Sequence, residues 1–374
     1  MAHWSKLLIT GVLITGVLSG CSSNDELIKI APVPQIQTNV ELQVNWDASV
    51  GSGSGEIFSR LQPTIAYSKV FASDRAGIVA AFDVTSGDKI WQINLAGETS
   101  FFSSTQSALL SGGVSHGYDK IAIGSENGEL YILEQATGEL VWHKQVGGEI
   151  LAKPLMAGNK VIVSTGNGKV IAFDLETGEQ SWVYQNDVPA LTLRGNSGLV
   201  ENQGAIFFGL PKGKIAGVLI DGGRAIWEQI IVTSDGGNEL ANIIDVDATP
   251  LLLGDTLYAV AYNGNLAALE LRTGKILWKR AYSSLQSMVV DGYNLYVTSS
   301  DGLENRELSA PAILNGHVAV IDFEGYLHLL DSEAGTLIGQ MQLDSDGYIA
   351  RPLVDNNVLF LLSKDGLLSA VTIK

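Results

Sequence analysis

Residues 160–182 read KVIVSTGNGKVIAFDLETGEQSW. Two apolar runs flank Asn167-Gly168, a dipeptide suited to the tight turn of a β-hairpin, whose central residues need a positive φ. A second turn follows at Thr177-Gly178, and a third short strand ends at Trp182. The same order of features recurs at 69–91, 120–142, 205–227 and 256–278, closing on Trp91, Trp142, Trp227 and Trp278. A weaker copy at 317–339 carries Gly339 where the tryptophan should stand. A repeat of roughly 40–50 residues built from four short strands is a β-propeller blade.

Hairpin glycines count the blades. They fall at Gly77, Gly128, Gly168, Gly213, Gly264, Gly302, Gly325 and Gly366, so the expectation is an all-β, eight-bladed propeller. The last copy, 358–374, stops before its outer strand, and VELQVNW at 40–46 supplies one, with Trp46 in the tryptophan position. The N-terminal strand is therefore expected to complete the last blade and close the ring, which removes an exposed edge. The step from Gly302 to Gly325 is the short one, 23 residues against 38 to 51 elsewhere. That leaves no room for two outer strands, so the sixth blade is expected to be a two-stranded remnant. The tryptophans are expected to pack between neighbouring blades, each burying on the order of 150–250 Å².

The chain has 374 residues and 42 glycines, with 40 acidic against 23 basic side chains and a net charge of −17. No basic cluster neutralises phosphates, so nucleic acid is not an expected partner. Residues 1–20 read as a signal peptide: Lys6 precedes the apolar run at 7–18, which is too short to span a bilayer. Leu18-Ser19-Gly20-Cys21 resembles the lipobox of bacterial lipoproteins, and Cys21 is the one cysteine of the chain. Lipid on Cys21, palmitate among its acyl groups, would anchor the protein, and Ser22 resembles the pattern that sorts lipoproteins to the outer membrane. Residues 21–40 then form the lipidated cysteine and a polar tether, with a reach of at most roughly 60 Å, and residues 41–374 the propeller. Gly51 to Glu56, GSGSGE, lacks the helix and the Lys-Ser/Thr of a phosphate loop.

No catalytic constellation is present. The five histidines are scattered, Ser115 beside His116 has no third group to orient it, and no metal-ligand spacing occurs. Neither an enzyme nor a cofactor or metal is expected. Alignment on the innermost strands, through Pro63, Pro154, Pro250, Pro311 and Pro352, places Arg60, Lys153, Arg194, Asp247 and Arg351 around one mouth of the central channel. The connections of the fourth and fifth blades bring Leu191, Leu193, Arg194, Asp245 and Asp247 side by side. Two leucines flanked by an arginine and two aspartates make an apolar anchor with a charged rim, the chemistry of a protein interface.

The pattern A-x-x-x-x-T-G-x-x-x-W, as in 172–182, is similar to the tryptophan-docking repeat of pyrroloquinoline-quinone (PQQ) dehydrogenases. Those enzymes need calcium-binding carboxylates and a vicinal cysteine pair, and this chain has a single cysteine. A more specific resemblance, over essentially the whole chain, is to the BamB lipoproteins of the outer-membrane β-barrel assembly machinery. It is carried by LLSGGV (109–114), DRAG (74–77), TLRG (192–195), DVDATP (245–250), 261–280 and EGYLHLL (324–330). The resemblance implies a non-enzymatic scaffold on the periplasmic face of the outer membrane of a Gram-negative bacterium. It implies binding to the POTRA domains of BamA, with other assembly lipoproteins and nascent outer-membrane proteins as further partners. The residues it assigns to BamA are Leu191, Leu193, Arg194, Asp245 and Asp247. The chain departs from that family at the shortened sixth blade. A different class of function, a small-molecule or glycan-binding periplasmic propeller of vestigial quinoprotein type, predicts a ligand in the channel.

Overall fold

Among the described residues thirty strands, all antiparallel to their neighbours, form seven four-stranded sheets and one two-stranded sheet. The computed structural model describes residues 31–57, 59–97, 106–233, 237, 242–299 and 306–374. The signal peptide, Cys21, the start of the tether and the sixth hairpin glycine, Gly302, lie outside the described residues.

Seven of the sheets are built from strands consecutive in sequence, as Leu155–Ala157, Lys160–Ser164, Lys169–Asp174 and Gln180–Gln185 are in the third. The eighth sheet takes its outermost strand, Leu42–Ser49, from the other end of the chain. That strand pairs with Leu367–Ile373 from Leu42↔Ile373 to Ser49↔Leu367, with one bulge between Val44 and Trp46. Ring closure by the N-terminal strand is as the sequence implies. So is the remnant: the sixth sheet has only Val289–Asp291 and Asn294–Tyr296 among the described residues.

The second strand of most blades is buried on consecutive rather than alternate positions. Ala205–Leu210 and Lys120–Ser125 show this. Each blade is covered on both faces by its neighbours, so both pleat directions point into apolar surroundings. Only the outermost strands alternate, as Gln180–Gln185 does.

The tryptophans join the blades by one repeated contact. Each indole lies on the glycine of the next blade's Thr-Gly or equivalent turn, and its Nε1 donates to the carbonyl three residues before that glycine. Trp182 donates to Ile220 O at 2.7 Å, and a Cβ on Gly223 would stand 2.6 Å from its ring. Gly223 also has φ +69°, so no other residue suits the turn or the contact. Trp91 meets Gln135 O, Trp142 meets Leu175 O and Trp227 meets Leu271 O in the same way. Trp46 of the closing strand donates to Val84 O at 3.2 Å and lies on Gly87, so one strand completes the eighth blade and docks on the first.

The missing outer strands of the sixth blade break this chain of contacts in two places. Trp278 of the fifth blade has no turn to dock on among the described residues and is 38% exposed, against Tyr258 and Arg280. In the seventh blade the acceptor equivalent to Ile220 O is Ser332 O, and Tyr296 of the remnant donates its hydroxyl there at 3.0 Å. A tyrosine thus does the work of the absent indole.

The seventh blade carries a buried ionic group. Arg306 is 2% exposed and donates from Nη1 to Asp322 at 2.7 Å and from Nη2 to Glu324 and to Ala31 O, each at 2.8 Å. His328 Nε2 donates to the same Asp322 oxygen at 2.9 Å. Burial alone would raise the Asp322 pKa, but the bonds from His328, Tyr326 N and Arg306 outweigh it and hold the carboxyl below its usual range.

Candidate functional site

The connection from the third blade to the fourth, 186–199, and the described parts of that from the fourth to the fifth, 231–233 and 242–250, lie on the same face as the hairpins at 164–169 and 210–214. Asp245 fastens them together. One of its carboxylate oxygens accepts from Thr192 Oγ1 and, at 2.9 Å, from Leu193 N. The other accepts from Lys212 N at 3.3 Å, and the Asp245 carbonyl accepts from Tyr262 N at 2.9 Å. Three blades are thereby held by one side chain and its peptide.

This arrangement changes the reading of the two aspartates. They do not form a solvated rim: Asp245 is 1% exposed and Asp247 is 7% exposed. Asp247 lies under Gly195, where a Cβ would stand 2.8 Å from its Oδ2. Burial raises the Asp247 pKa to about 6, with Arg60 opposing and Asp245 reinforcing the shift. An aspartyl group of the unfolded chain titrates near 4, so between about pH 4 and 6 the folded state binds the extra proton. Stability contributed by this group is present below that window and lost as pH rises through it. Relative to Asp247→Asn, the wild type is therefore expected to lose unfolding free energy between pH 4 and 6, measured by urea denaturation; a constant difference would contradict this.

What remains at the surface is Leu191, 44% exposed, with Leu193 part-buried beside it and Arg194 exposed. Leu191 stands over an apolar hollow of about 630 Å³ lined by Pro189, Ile230, Val232 and Ile244. Arg194 turns away from the aspartates. It pairs with Glu126 of the second blade at 3.2 Å and with Glu149 at 3.5 Å, and Arg75 of the first blade holds Glu126 at 2.9 Å. Burial works against ionisation of Glu126, but Arg75 and then Arg194 outweigh it and keep its pKa below the ordinary value. The charged rim is this Arg-Glu-Arg-Glu arc. The sequence reading missed Glu126 and Glu149, although Glu126 lies two residues before its hairpin glycine, where the third blade has Gly166.

Of the five residues expected around one mouth, Arg60, Lys153 and Arg351 do line the axis. Arg60 donates to Asp247 O at 3.2 Å, which ties that aspartate's backbone to the same place. Arg194 does not belong there. The fourth blade's innermost strand begins at Val200, so the position matching Arg60, three before the inner-strand proline or its equivalent Leu199, is Asn196. Three carboxylates that the sequence reading left apart, Asp344, Asp346 and Asp365, gather where the seventh blade's exit meets the eighth blade's hairpin.

Comparison with known proteins agrees over the full length. A profile of the family described as outer membrane protein assembly factor BamB matches residues 75–310. A protein of that name from Shewanella oneidensis is 39% identical, with all of both chains covered. The Escherichia coli K12 relative of that name is 36% identical over 98% of this chain and 99% of its own. Among solved structures, BamB from Moraxella catarrhalis superposes with a TM-score of 0.78 at 24% identity, covering 89% of this chain and all of that one. The quinohemoprotein alcohol dehydrogenase of Comamonas testosteroni shares the fold, with a TM-score of 0.67 at 13% identity over 89% of this chain and 76% of that one.

Proposed function

The chain belongs to the BamB family of outer membrane protein assembly factors, and from that premise we propose that it is a non-enzymatic scaffold that binds the POTRA domains of BamA through the connection at 186–199. The observation that carries this reading is Leu191: a leucine 44% exposed, at the lip of an apolar hollow, on a loop fixed from beneath by a buried carboxylate. An ordered apolar residue beside a guanidinium is a preformed contact, and preformed contacts lose little side-chain entropy on binding. Leu191, Leu193 and Arg194 make the contact, while Asp245 and Asp247 position the loop from inside.

Residues 1–20 act as a signal peptide. Cys21 carries the lipid that holds the propeller at the periplasmic face of the outer membrane, and residues 22–40 act as the tether. Other lipoproteins of the machinery and nascent barrels are further partners of the same assembly.

Titration of the full-length protein in detergent with BamA POTRA domains from the same source tests the reading. Arg194→Glu is expected to weaken binding by at least 2 kcal/mol, about thirtyfold, with the thermal midpoint little changed. Asp245→Ala is expected to lose binding and stability together. Wild-type protein that is folded and does not bind would sink the proposal.

A further inference from the structure

Basic side chains are scarce in this chain, 23 against 40 acidic ones, yet three of them face one small space on the propeller axis. Arg60 enters from the first blade, Lys153 from the third and Arg351 from the eighth. The space is about 50 Å³ and is walled by residues from all eight blades, nearly all on the segments that lead into the innermost strands. It exceeds what a single water needs.

The protein fixes these cations more fully than it neutralises them. Arg60 donates to two carbonyls, Asp247 O at 3.2 Å and Leu285 O at 3.1 Å. Lys153 donates to the hydroxyl of Thr64 at 3.1 Å, which also bonds His116 Nδ1 at 3.0 Å. Arg351 keeps a buried Nε with no acceptor among the described residues. One carboxylate, that of Asp247, acts on Arg60. Lys153 and Arg351 act on each other as like charges: burial first, and then Arg351, lowers the Lys153 pKa to about 8. Burial also lowers that of Arg351, and burial followed by Lys153 lowers that of His116. Lys153 and Arg351 have no ion pair among the described residues, and holding two such cations beside Arg60 in a sheltered space is costly unless an anion offsets it.

We propose that the axis of the propeller is a binding site for one small divalent oxyanion, of the size of sulfate or hydrogen phosphate, held by Arg60, Lys153 and Arg351. Guanidinium groups present N–H donors in a planar fork that fits two oxygens of such an ion, and the lysine supplies a compact third charge. The site is separate from the partner face, since Arg194 lies outside it, and the inference does not depend on the partner reading.

Full-length protein in detergent is titrated by calorimetry with sodium sulfate, and in a second arm with sodium phosphate, at ionic strength held constant with sodium chloride. The expected result is a saturable heat with a stoichiometry of one, and a thermal midpoint that rises with the logarithm of oxyanion concentration above the dissociation constant. Lys153→Met and Arg351→Met should each weaken binding by about tenfold or more, the worth of a charge-assisted hydrogen bond. No saturable heat in the wild type would overturn the proposal, whether or not the variants fold. So would a midpoint shift of equal size in wild type and variants, which is a general salt effect. Equal affinity for chloride, measured with chloride replaced by gluconate as background, would overturn the assignment to an oxyanion.

Discussion

Trp182→Ala is expected to lower the unfolding free energy by about 3–5 kcal/mol, at the upper end for a single truncation. The indole is 7% exposed, and its removal leaves a space between the third and fourth blades that both faces were shaped to fill. The turn it covers cannot collapse into that space. Gly223 has φ +69° and the turn is closed by Gly223 N donating to Leu219 O at 3.1 Å, so the backbone is held where it is. The carbonyl of Ile220 loses its donor as well. Trp278→Ala supplies the comparison within the same molecule. That indole has the same place in its blade but no turn to dock on among the described residues, and its loss should cost about 1 kcal/mol. Urea denaturation of both variants decides the matter: equal losses would mean that docking contributes nothing beyond burial.

Asp322→Ala is expected to cost about 3–5 kcal/mol, through a different cause. Asp322 is fully buried and accepts from Arg306 and His328 with the same oxygen. Without it, the guanidinium of Arg306 stays 2% exposed and, among the described residues, keeps only the part-exposed Glu324 as a charged partner. The cost is that of a buried charge left under-compensated, not the worth of one bond. A double-mutant cycle makes the distinction. Arg306→Met combined with Asp322→Ala should cost less than the two single losses added, because the stranded cation is gone. Strict additivity would show that the two side chains stabilise the blade independently. Because the folded carboxyl is held below its usual range, the gap between wild type and Asp322→Ala should close as acid protonates it.

The fold was legible to an unusual depth because its signals are local and repeated. A turn glycine, a second glycine and a terminal tryptophan recur at fixed offsets, so the strand order of a blade can be read from one copy and checked against five others. Even the closing strand and the remnant blade follow from counting, since the eighth copy lacks what residues 40–46 supply and the sixth lacks the length for outer strands. The partner face was legible only in part. Residues 191–194 and 245–247 do lie together, but their burial follows from the depth at which each loop runs. The residues of DVD in 245–247 look the same in linear order whether solvated or packed. Arg194 was misaligned because the third connection is long, and the fourth blade's innermost strand begins only at Val200, after Leu199 rather than a proline that would mark it. Its true partners, Glu126 and Glu149, come from other repeats, and nothing in the chain's linear order couples residues 126 and 194.

The strand at Leu42–Ser49 has a consequence in time. It is among the first parts of the propeller to leave the ribosome, and its partner, Leu367–Ile373, is the last. Through synthesis and export the chain carries a strand that can find no native neighbour, while Trp46, which must also land on Gly87, waits with it. The ring thus cannot finish by adding blades one after another; its last step joins two segments more than 300 residues apart. Loop closure over such a distance is slow, and unpaired edges stay open until it happens. Truncating the last seven residues would therefore strand both ends at once, and the exposed edges would be open to pairing with other chains.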